Sequence, residues 1–234
     1  MIYVTSDLHG YSLEKFKLLL KKADFSADDF LFVLGDVIDR GNEGIELLNW
    51  MMLQPNVQLI LGNHEAMLLA CSFLFDELSA EALDEFDLKK LQLVHVWKEN
   101  GSSPTLEGLK KLSPEQREYI LEYVREAPLY DSVSAGGKDF LLVHGGLGGY
   151  SPDKKISDYT DHDLLWTRPA LTDRYSSDFI TVIGHTPTCF YGQSYKGRMI
   201  NNGSWINIDT GASSGYAPML LRLDDLTEFY ADEQ

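Results

Sequence analysis

The chain has 234 residues, enough for one domain with a sizeable hydrophobic core. Hydrophobic residues make up 44% of the sequence and charged residues 24%, which is typical of a folded globular protein rather than a disordered one. With 36 acidic and 20 basic residues the formal net charge is -16, which argues against broad binding to nucleic acid or to an anionic membrane.

Cysteine usage and the N-terminal segment indicate the compartment. The two cysteines, Cys71 and Cys189, have no CxxC spacing, which disfavours a disulfide framework and a thiolate zinc site. The sequence enters a strand-like run directly after Met1, without the basic region of a signal peptide. The most apolar run, residues 67–75, is shorter than the about 20 residues of a membrane span. We therefore expect a soluble cytoplasmic protein without a membrane partner.

Strand-like and helical patterns alternate over the first 75 residues. Three apolar runs predict buried strands at residues 2–4, 30–34 and 57–61. Each is followed by a helical pattern, the first of which starts near Ser12 and carries Leu13, Phe16 and Leu20 on one face. This order predicts a βαβαβ unit with parallel strands.

The middle of the chain, residues 66–127, is predicted to be a helical cap inserted into the α/β core. Within it, Ser113-Pro114-Glu115-Gln116 has the pattern of a helix N-terminus. An acidic cluster in residues 76–87 is interpreted as a solvated helix face. Strand-like runs then return at residues 140–143, 179–183, 205–208 and 219–223. The order predicts a mixed, layered α/β fold in a single domain, residues 1–234.

Five of the strand-like runs end in a short polar motif. The motifs are Asp7-Leu8-His9, Asp36 to Arg40, Asn63-His64-Glu65, His144-Gly145-Gly146 and His185-Thr186-Pro187. Because ligands of open α/β sheets bind beyond the carboxyl ends of the strands, the five motifs can converge on one rim. Their oxygen and imidazole donors suit manganese, iron, zinc or magnesium with open positions for water. The two remaining histidines, His95 and His162, are predicted to be structural.

These motifs closely resemble the signature of the calcineurin-like metallophosphoesterases, and within them of the phosphoprotein phosphatase family. That signature consists of GDxHG, GDxxDRG and GNHE, followed by two later histidine motifs. The matching segments lie at residues 6–10, 35–41, 62–65, 144–146 and 184–187. Ser6 stands where the family has glycine, at a position that holds no ligand. The resemblance implies a layered β-sandwich flanked by helices, with the helical cap as an insertion.

The resemblance also implies a site with two divalent ions. Manganese is the favoured metal, and iron, zinc and magnesium are the alternatives. The ligands it implies are Asp7, His9, Asp36, Asn63, His144 and His185. Asp36 would bridge the ions, with Asp7, His9 and His185 on one and with Asn63 and His144 on the other. Which late histidine serves which ion can be interchanged.

Further roles carried over from the family concern proton transfer and phosphate binding. His64 would protonate the leaving oxygen, and Asp39 would orient its ring. Arg40 would bind phosphate oxygens, and Arg168, in a Trp-Thr-Arg segment, would be a second phosphate-binding residue. Asp209 lies at another strand end, where a turn role is favoured over metal ligation.

The predicted function is a metal-dependent phosphomonoesterase that uses an activated water for in-line attack on phosphorus. A serine/threonine or dual-specificity protein phosphatase is favoured, acting on a phosphorylated protein or a small phosphomonoester. Asp39 and Glu65 favour it, because symmetrical diadenosine tetraphosphate hydrolases usually carry Ala at the first position and Asp at the second. The alternatives are such a hydrolase, another nucleotide phosphoesterase including a phosphodiesterase, and a non-catalytic metal-binding scaffold.

Overall fold

The computed structural model describes residues 1–75 and 88–231. The α-helices in this part are α1 (Leu13–Lys22), α2 (Gly44–Met52), α3 (Asn63–Ala70), α4 (Leu88–Glu99), α5 (Ser103–Lys110), α6 (Pro114–Glu126) and α7 (Asp161–Leu165). The strands are β1 (Ile2–Thr5), β2 (Phe30–Leu34), β3 (Val57–Ile60), β4 (Tyr130–Ala135), β5 (Lys138–Val143), β6 (Ile180–Ile183), β7 (Ile200–Asn201), β8 (Trp205–Asn207), β9 (Met219–Arg222) and β10 (Thr227–Tyr230). The acidic cluster of residues 76–87 lies outside the described residues.

The strands form two five-stranded mixed sheets. The first has the order β10-β9-β1-β2-β3, and the second has the order β4-β5-β6-β8-β7. In the first sheet β1, β2 and β3 are parallel, and in the second β5, β6 and β8 are parallel. Each parallel trio therefore presents its carboxyl ends at one edge, which is where the polar motifs follow.

The two sheets pack against each other through alternate residues of their strands. Val4 and Phe32 from the first sheet share one buried cluster with Phe140, Leu142 and Ile206 from the second. The intervening residues point away from this layer, as the period of two in a strand requires. The molecule is thus a mixed α/β layered sandwich, which confirms the predicted fold class.

Helices cover the outer face of the first sheet. Tyr3 and Val33 lie in a second buried cluster with side chains of α1 and α2 and with Trp97 of α4. The outer face of the second sheet is covered instead by the segment between β5 and β6, which includes α7. The cap helices, defined here as α4, α5 and α6, therefore lie on the same side as the first sheet's helices.

Most predicted element positions are confirmed. The strands predicted from apolar runs all form, with ends that differ by no more than two residues. Helix α6 begins with the predicted capping box, in which Ser113 Oγ accepts from the Gln116 N–H at 3.2 Å. Strands β4, β7 and β10 were not predicted, because these edge strands are short or mix polar with apolar residues. In residues 1–75 and 88–231 no helix is both long and apolar enough to span a bilayer.

Leu142→Ala is expected to lower the free energy of unfolding by about 2–5 kcal/mol, because it leaves a cavity in the layer between the sheets. Leu18→Ala is the matched control, since Leu18 is 59% exposed on α1 and its loss should change stability by less than about 0.5 kcal/mol. Urea unfolding of both variants measures the difference. Equal effects would mean that the two sheets do not pack through Leu142.

Candidate active site at the carboxyl ends of the strands

The polar motifs meet in one small pocket of about 110 Å³ at the strand ends. Six residues there have left-handed backbone, with φ between 43° and 68°: Asp7, His9, Asp36, Asp39, Arg40 and His185. Left-handed backbone in residues other than glycine costs roughly 1–3 kcal/mol each and concentrates at functional sites. The chain therefore leaves strands β1, β2 and β6 in sharp turns of this kind.

Asp36 lies at the centre of the pocket with its carboxylate buried. Its oxygens are 3.7 Å from His9 Nε2, 3.8 Å from His64 Nε2 and 3.4 Å from His144 Nε2. The carboxylate also accepts the His64 backbone N–H at 3.0 Å. Burial favours the neutral acid, but His144 and His64 outweigh it and hold the pKa of Asp36 well below its usual range.

Glu65 fixes the turn that carries Asp36. Its buried carboxyl accepts the backbone N–H groups of Asp36 at 2.7 Å, Val37 at 2.9 Å and Ile38 at 3.3 Å. Burial, with Asp36 nearby, raises the pKa of Glu65 to about 7. By accepting three consecutive backbone N–H groups, the Glu65 carboxyl stabilises this turn, which gives Glu65 a structural role within its motif.

The histidine rings are oriented as metal ligands require. His9 Nδ1 donates to the Ile38 carbonyl at 3.1 Å and His144 Nδ1 donates to the Leu34 carbonyl at 2.7 Å. Each ring thereby directs Nε2 toward Asp36, the orientation that a backbone acceptor on the other nitrogen imposes in metal sites. Burial lowers the pKa of His9 to about 3 and that of His185 to about 2, so both rings are neutral and keep a lone pair.

The donor set fits divalent cations. The buried Nε2 of His185 has no hydrogen-bond partner among the described residues, and burial raises the pKa of Asp7 to about 6. Although burial opposes it, Asp36 raises the pKa of His144 to about 10, so this position favours positive charge. An orphaned imidazole nitrogen and crowded buried carboxyls are both relieved by bound cations.

The structure brings together the six residues predicted as ligands, and it arranges the histidines in two groups. His9 and His64 group with Asp36 on one side, and His144 and His185 group with Asp36 on the other, each with donor atoms within 4.8 Å. Asn63 Oδ1 is 2.8 Å from His144 Nε2, and Asp7 Oδ2 accepts the His185 backbone N–H at 2.9 Å. Asp36 is thus shared, as expected for a bridging ligand. His185 lies with His144 rather than with His9, and the assignment of ligands to individual ions stays a prediction.

Asp39 and His64 form a buried pair supported by the cap helices. His64 Nδ1 is 2.6 Å from Asp39 Oδ2, which also accepts from Trp97 Nε1 at 2.8 Å. Thr105 Oγ1 donates to the other carboxylate oxygen at 2.6 Å and accepts the Asp39 N–H at 2.9 Å. Trp97 and Thr105 come from α4 and α5, so the cap completes the hydrogen bonding of the pair.

The proton positions on His64 follow from its neighbours. Arg40 Nη2, which can only donate, is 3.2 Å from His64 Nε2, so Nε2 accepts and Nδ1 carries the proton given to Asp39. Burial disfavours a charged ring, but Asp36 and Asp39 outweigh it and raise the pKa of His64 above its ordinary value. His64 can therefore hold a second proton at Nε2 when that nitrogen does not accept from Arg40.

Two arginines reach the mouth of the pocket. Arg40 Nη1 donates to Ser213 Oγ at 2.8 Å, and Arg168 Nη1 donates to the His185 carbonyl at 3.2 Å and to Thr186 Oγ1 at 3.3 Å. Within residues 1–75 and 88–231 neither guanidinium forms an ion pair with a carboxylate. Their charge is available to an anionic ligand.

Three residues that were not predicted as ligands, Asp209, His95 and His162, differ in their position relative to the pocket. Asp209 lines the pocket, and its carboxyl accepts the Gly211 N–H at 2.9 Å, which fits the predicted turn role. Burial, with Asp7 nearby, raises the pKa of Asp209 well above its usual value. His95 and His162 are exposed and lie outside the pocket. Phe190, 71% exposed at the pocket mouth, carried no sequence signal, because a single aromatic in a loop matches no motif.

The sequence is similar to those of known phosphoesterases. Residues 1–204 match a family model described as calcineurin-like phosphoesterase. A symmetrical bis(5'-nucleosyl)-tetraphosphatase from Buchnera aphidicola is 33% identical over 153 residues, covering 63% of this chain and 52% of the relative. Serine/threonine-protein phosphatase 2 from Salmonella typhimurium is 29% identical over 214 residues, covering 90% of this chain and 87% of the relative.

A solved structure of a candidate diadenosine tetraphosphatase superimposes with a TM-score of 0.68. Its identity is 16%, and the match covers 100% of this chain and 93% of that one. At this identity the similarity concerns the fold alone. The chain spans about half the length of the first curated relatives that it matches.

Trp97→Phe is expected to lower kcat about tenfold without changing metal content, because Asp39 loses a donor worth roughly 1.5–3 kcal/mol while the ring still fills its site. Steady-state kinetics and metal analysis of the purified variant measure both effects. Trp50→Phe is the control, since Trp50 packs on Phe16 away from the pocket. Unchanged kcat in Trp97→Phe would show that Thr105 alone supports Asp39.

Proposed function

The chain belongs to the calcineurin-like phosphoesterase family, and we propose that it hydrolyses the polyphosphate chain of a dinucleoside tetraphosphate. The identity to a symmetrical bis(5'-nucleosyl)-tetraphosphatase over 153 residues carries the choice of substrate. Two arginines at one pocket mouth, both without a carboxylate partner in the described residues, suit a ligand with several consecutive phosphates.

Each part of the site has a role in this reaction. Divalent ions held by the six ligand residues would supply Lewis acidity and lower the pKa of the attacking water. Arg40 and Arg168 would bind the phosphate oxygens and place phosphorus over Asp36. His64 would give its Nε2 proton to the leaving oxygen, and Asp39 would hold the ring in place.

A second candidate substrate is a phosphorylated serine or threonine in a protein. The Asp39–His64 pair favours it, because an alkoxide leaving group is far more basic than a phosphate and needs protonation by a general acid. The Salmonella typhimurium phosphatase, which aligns over 90% of this chain, also supports this candidate.

The substrate test compares diadenosine tetraphosphate, a phosphoserine peptide and p-nitrophenyl phosphate with metal-stripped protein titrated with Mn²⁺. We expect metal-dependent cleavage of the dinucleotide with a kcat/KM at least about tenfold above that of the peptide, since both arginines can bind its phosphates. A higher kcat/KM for the peptide would replace the proposal with the protein-phosphatase function.

His64→Asn is expected to lower turnover of a phosphoserine peptide about 10²–10⁴-fold, because the acid is lost where the leaving group is most basic. The loss on p-nitrophenyl phosphate should be smaller, since its leaving group is weakly basic. His95→Asn, on the exposed side of α4, is the control. Because His64 lies within 4.8 Å of other donors, metal content must be measured, and loss of an ion would make His64 a ligand instead of the acid.

A further inference from the structure

A second concave region lies beside the active-site pocket. This region, the Tyr216 groove, has a volume of about 870 Å³, within the range of sites that hold small ligands. The charged and aromatic residues that line it are Tyr11, Lys196, Arg198, Tyr216, Glu228 and Tyr230. None of these residues belongs to the motifs that form the metal centre.

One loop separates the groove from the active-site pocket. Ser214 lines the pocket and Ser213 accepts from Arg40 at 2.8 Å, whereas Ala212 and Gly215 line the groove. The two cavities therefore lie on opposite sides of a single short 3-10 turn. A ligand that extends beyond the mouth of the active-site pocket would lie next to the Tyr216 groove.

The ring of Tyr216 is held in a built position. A Cβ atom added to Gly197 or to Gly211 would approach the ring to 3.1 Å, so the ring packs directly against both glycines. The Tyr216 N–H donates to the Gly211 carbonyl at 3.1 Å, and Thr210 Oγ1 donates to the Ala217 carbonyl at 2.7 Å. A side chain larger than hydrogen at either glycine would require the ring to shift. A fixed aromatic ring at a groove wall is a stacking surface for a planar base.

The groove also concentrates positive charge in an acidic chain. Lys196 and Arg198 are both exposed and lie two residues apart, while the whole chain has a formal net charge of -16. In the part of the chain that the structure describes, neither of them forms an ion pair with a carboxylate. Glu228, the acidic residue in the wall, accepts a hydrogen bond from the Tyr230 hydroxyl. The two cations are placed to bind phosphate oxygens.

We propose that the Tyr216 groove binds the distal nucleoside phosphate of the substrate, an inference that rests on the proposed function. Lys196 and Arg198 bind the phosphates farthest from the cleaved bond, and Tyr216 stacks on the base. The groove thus determines preference for a dinucleotide over a short monoester, and it takes no part in the chemical step.

The test compares Lys196→Ala/Arg198→Ala and Tyr216→Leu with wild type on diadenosine tetraphosphate and p-nitrophenyl phosphate in Mn²⁺. Loss of charge-assisted contacts is expected to raise KM for the dinucleotide about tenfold or more, with kcat nearly unchanged. The short monoester does not reach the groove, so its KM should change less than about twofold. Tyr216→Phe should retain the wild-type KM, because it keeps the ring.

Lys15→Ala/Lys17→Ala is the matched control, since it removes two exposed positive charges from α1. A dinucleotide KM that stays within twofold of wild type in the groove variants would overturn the inference and leave the proposed function intact. If wild type does not cleave the dinucleotide, the proposed function fails, and calorimetric binding of the same dinucleotide to the Mn²⁺-loaded protein then decides. Binding that weakens about tenfold in Lys196→Ala/Arg198→Ala would support the groove, whereas absent or equal binding would overturn it.

Discussion

The buried carboxylate of Asp36 is the constraint on which the site depends. A buried ion costs several kcal/mol unless opposite charge and hydrogen bonds compensate it. The chain provides both, with imidazole nitrogens 3.4–3.8 Å away and the His64 N–H at 3.0 Å. The carboxyl of Glu65 accepts three peptide N–H groups and thereby fixes the backbone turn that carries Asp36. The same arrangement places the Asp36 carboxylate in both groups of candidate metal ligands.

The layered sheets explain how residues distant in sequence meet at Asp36. The parallel strands β1, β2 and β3 deliver the early motifs to one edge, and β5 and β6 deliver His144 and His185 from the opposing sheet. The contacts between the sheets in the layer around Leu142 fix the two edges relative to each other. The left-handed turns after the strands cost free energy locally, which the packed layers offset.

The sequence predicted the strands and the convergence of the candidate ligand residues well, because both depend on local patterns. Apolar runs mark buried strands, and the residue types at their ends mark the chemistry.

The sequence could not predict that Trp97 donates to Asp39, since that contact spans 58 residues and depends on how the cap packs. On the same helix the apolar Leu91 is 49% exposed whereas Trp97 is fully buried, so the apolar pattern of α4 is a weak guide to its buried face. The Tyr216 groove was equally hidden, because its walls come from separate loops and from strand β10, which share no motif. The motif residues Asp39 and Glu65 favoured a protein phosphatase, whereas the comparisons give the dinucleotide hydrolases at least equal support.

We expect Asp36 to join two cation sites, one beside His9 and one beside His144 and His185. Anomalous diffraction from crystals of the full chain grown with Mn²⁺ tests this most directly, because it locates each ion independently of activity. We expect two anomalous peaks, one on each side of the Asp36 carboxylate, about 3.5–4 Å apart. A single peak, or peaks that do not contact Asp36, would contradict it.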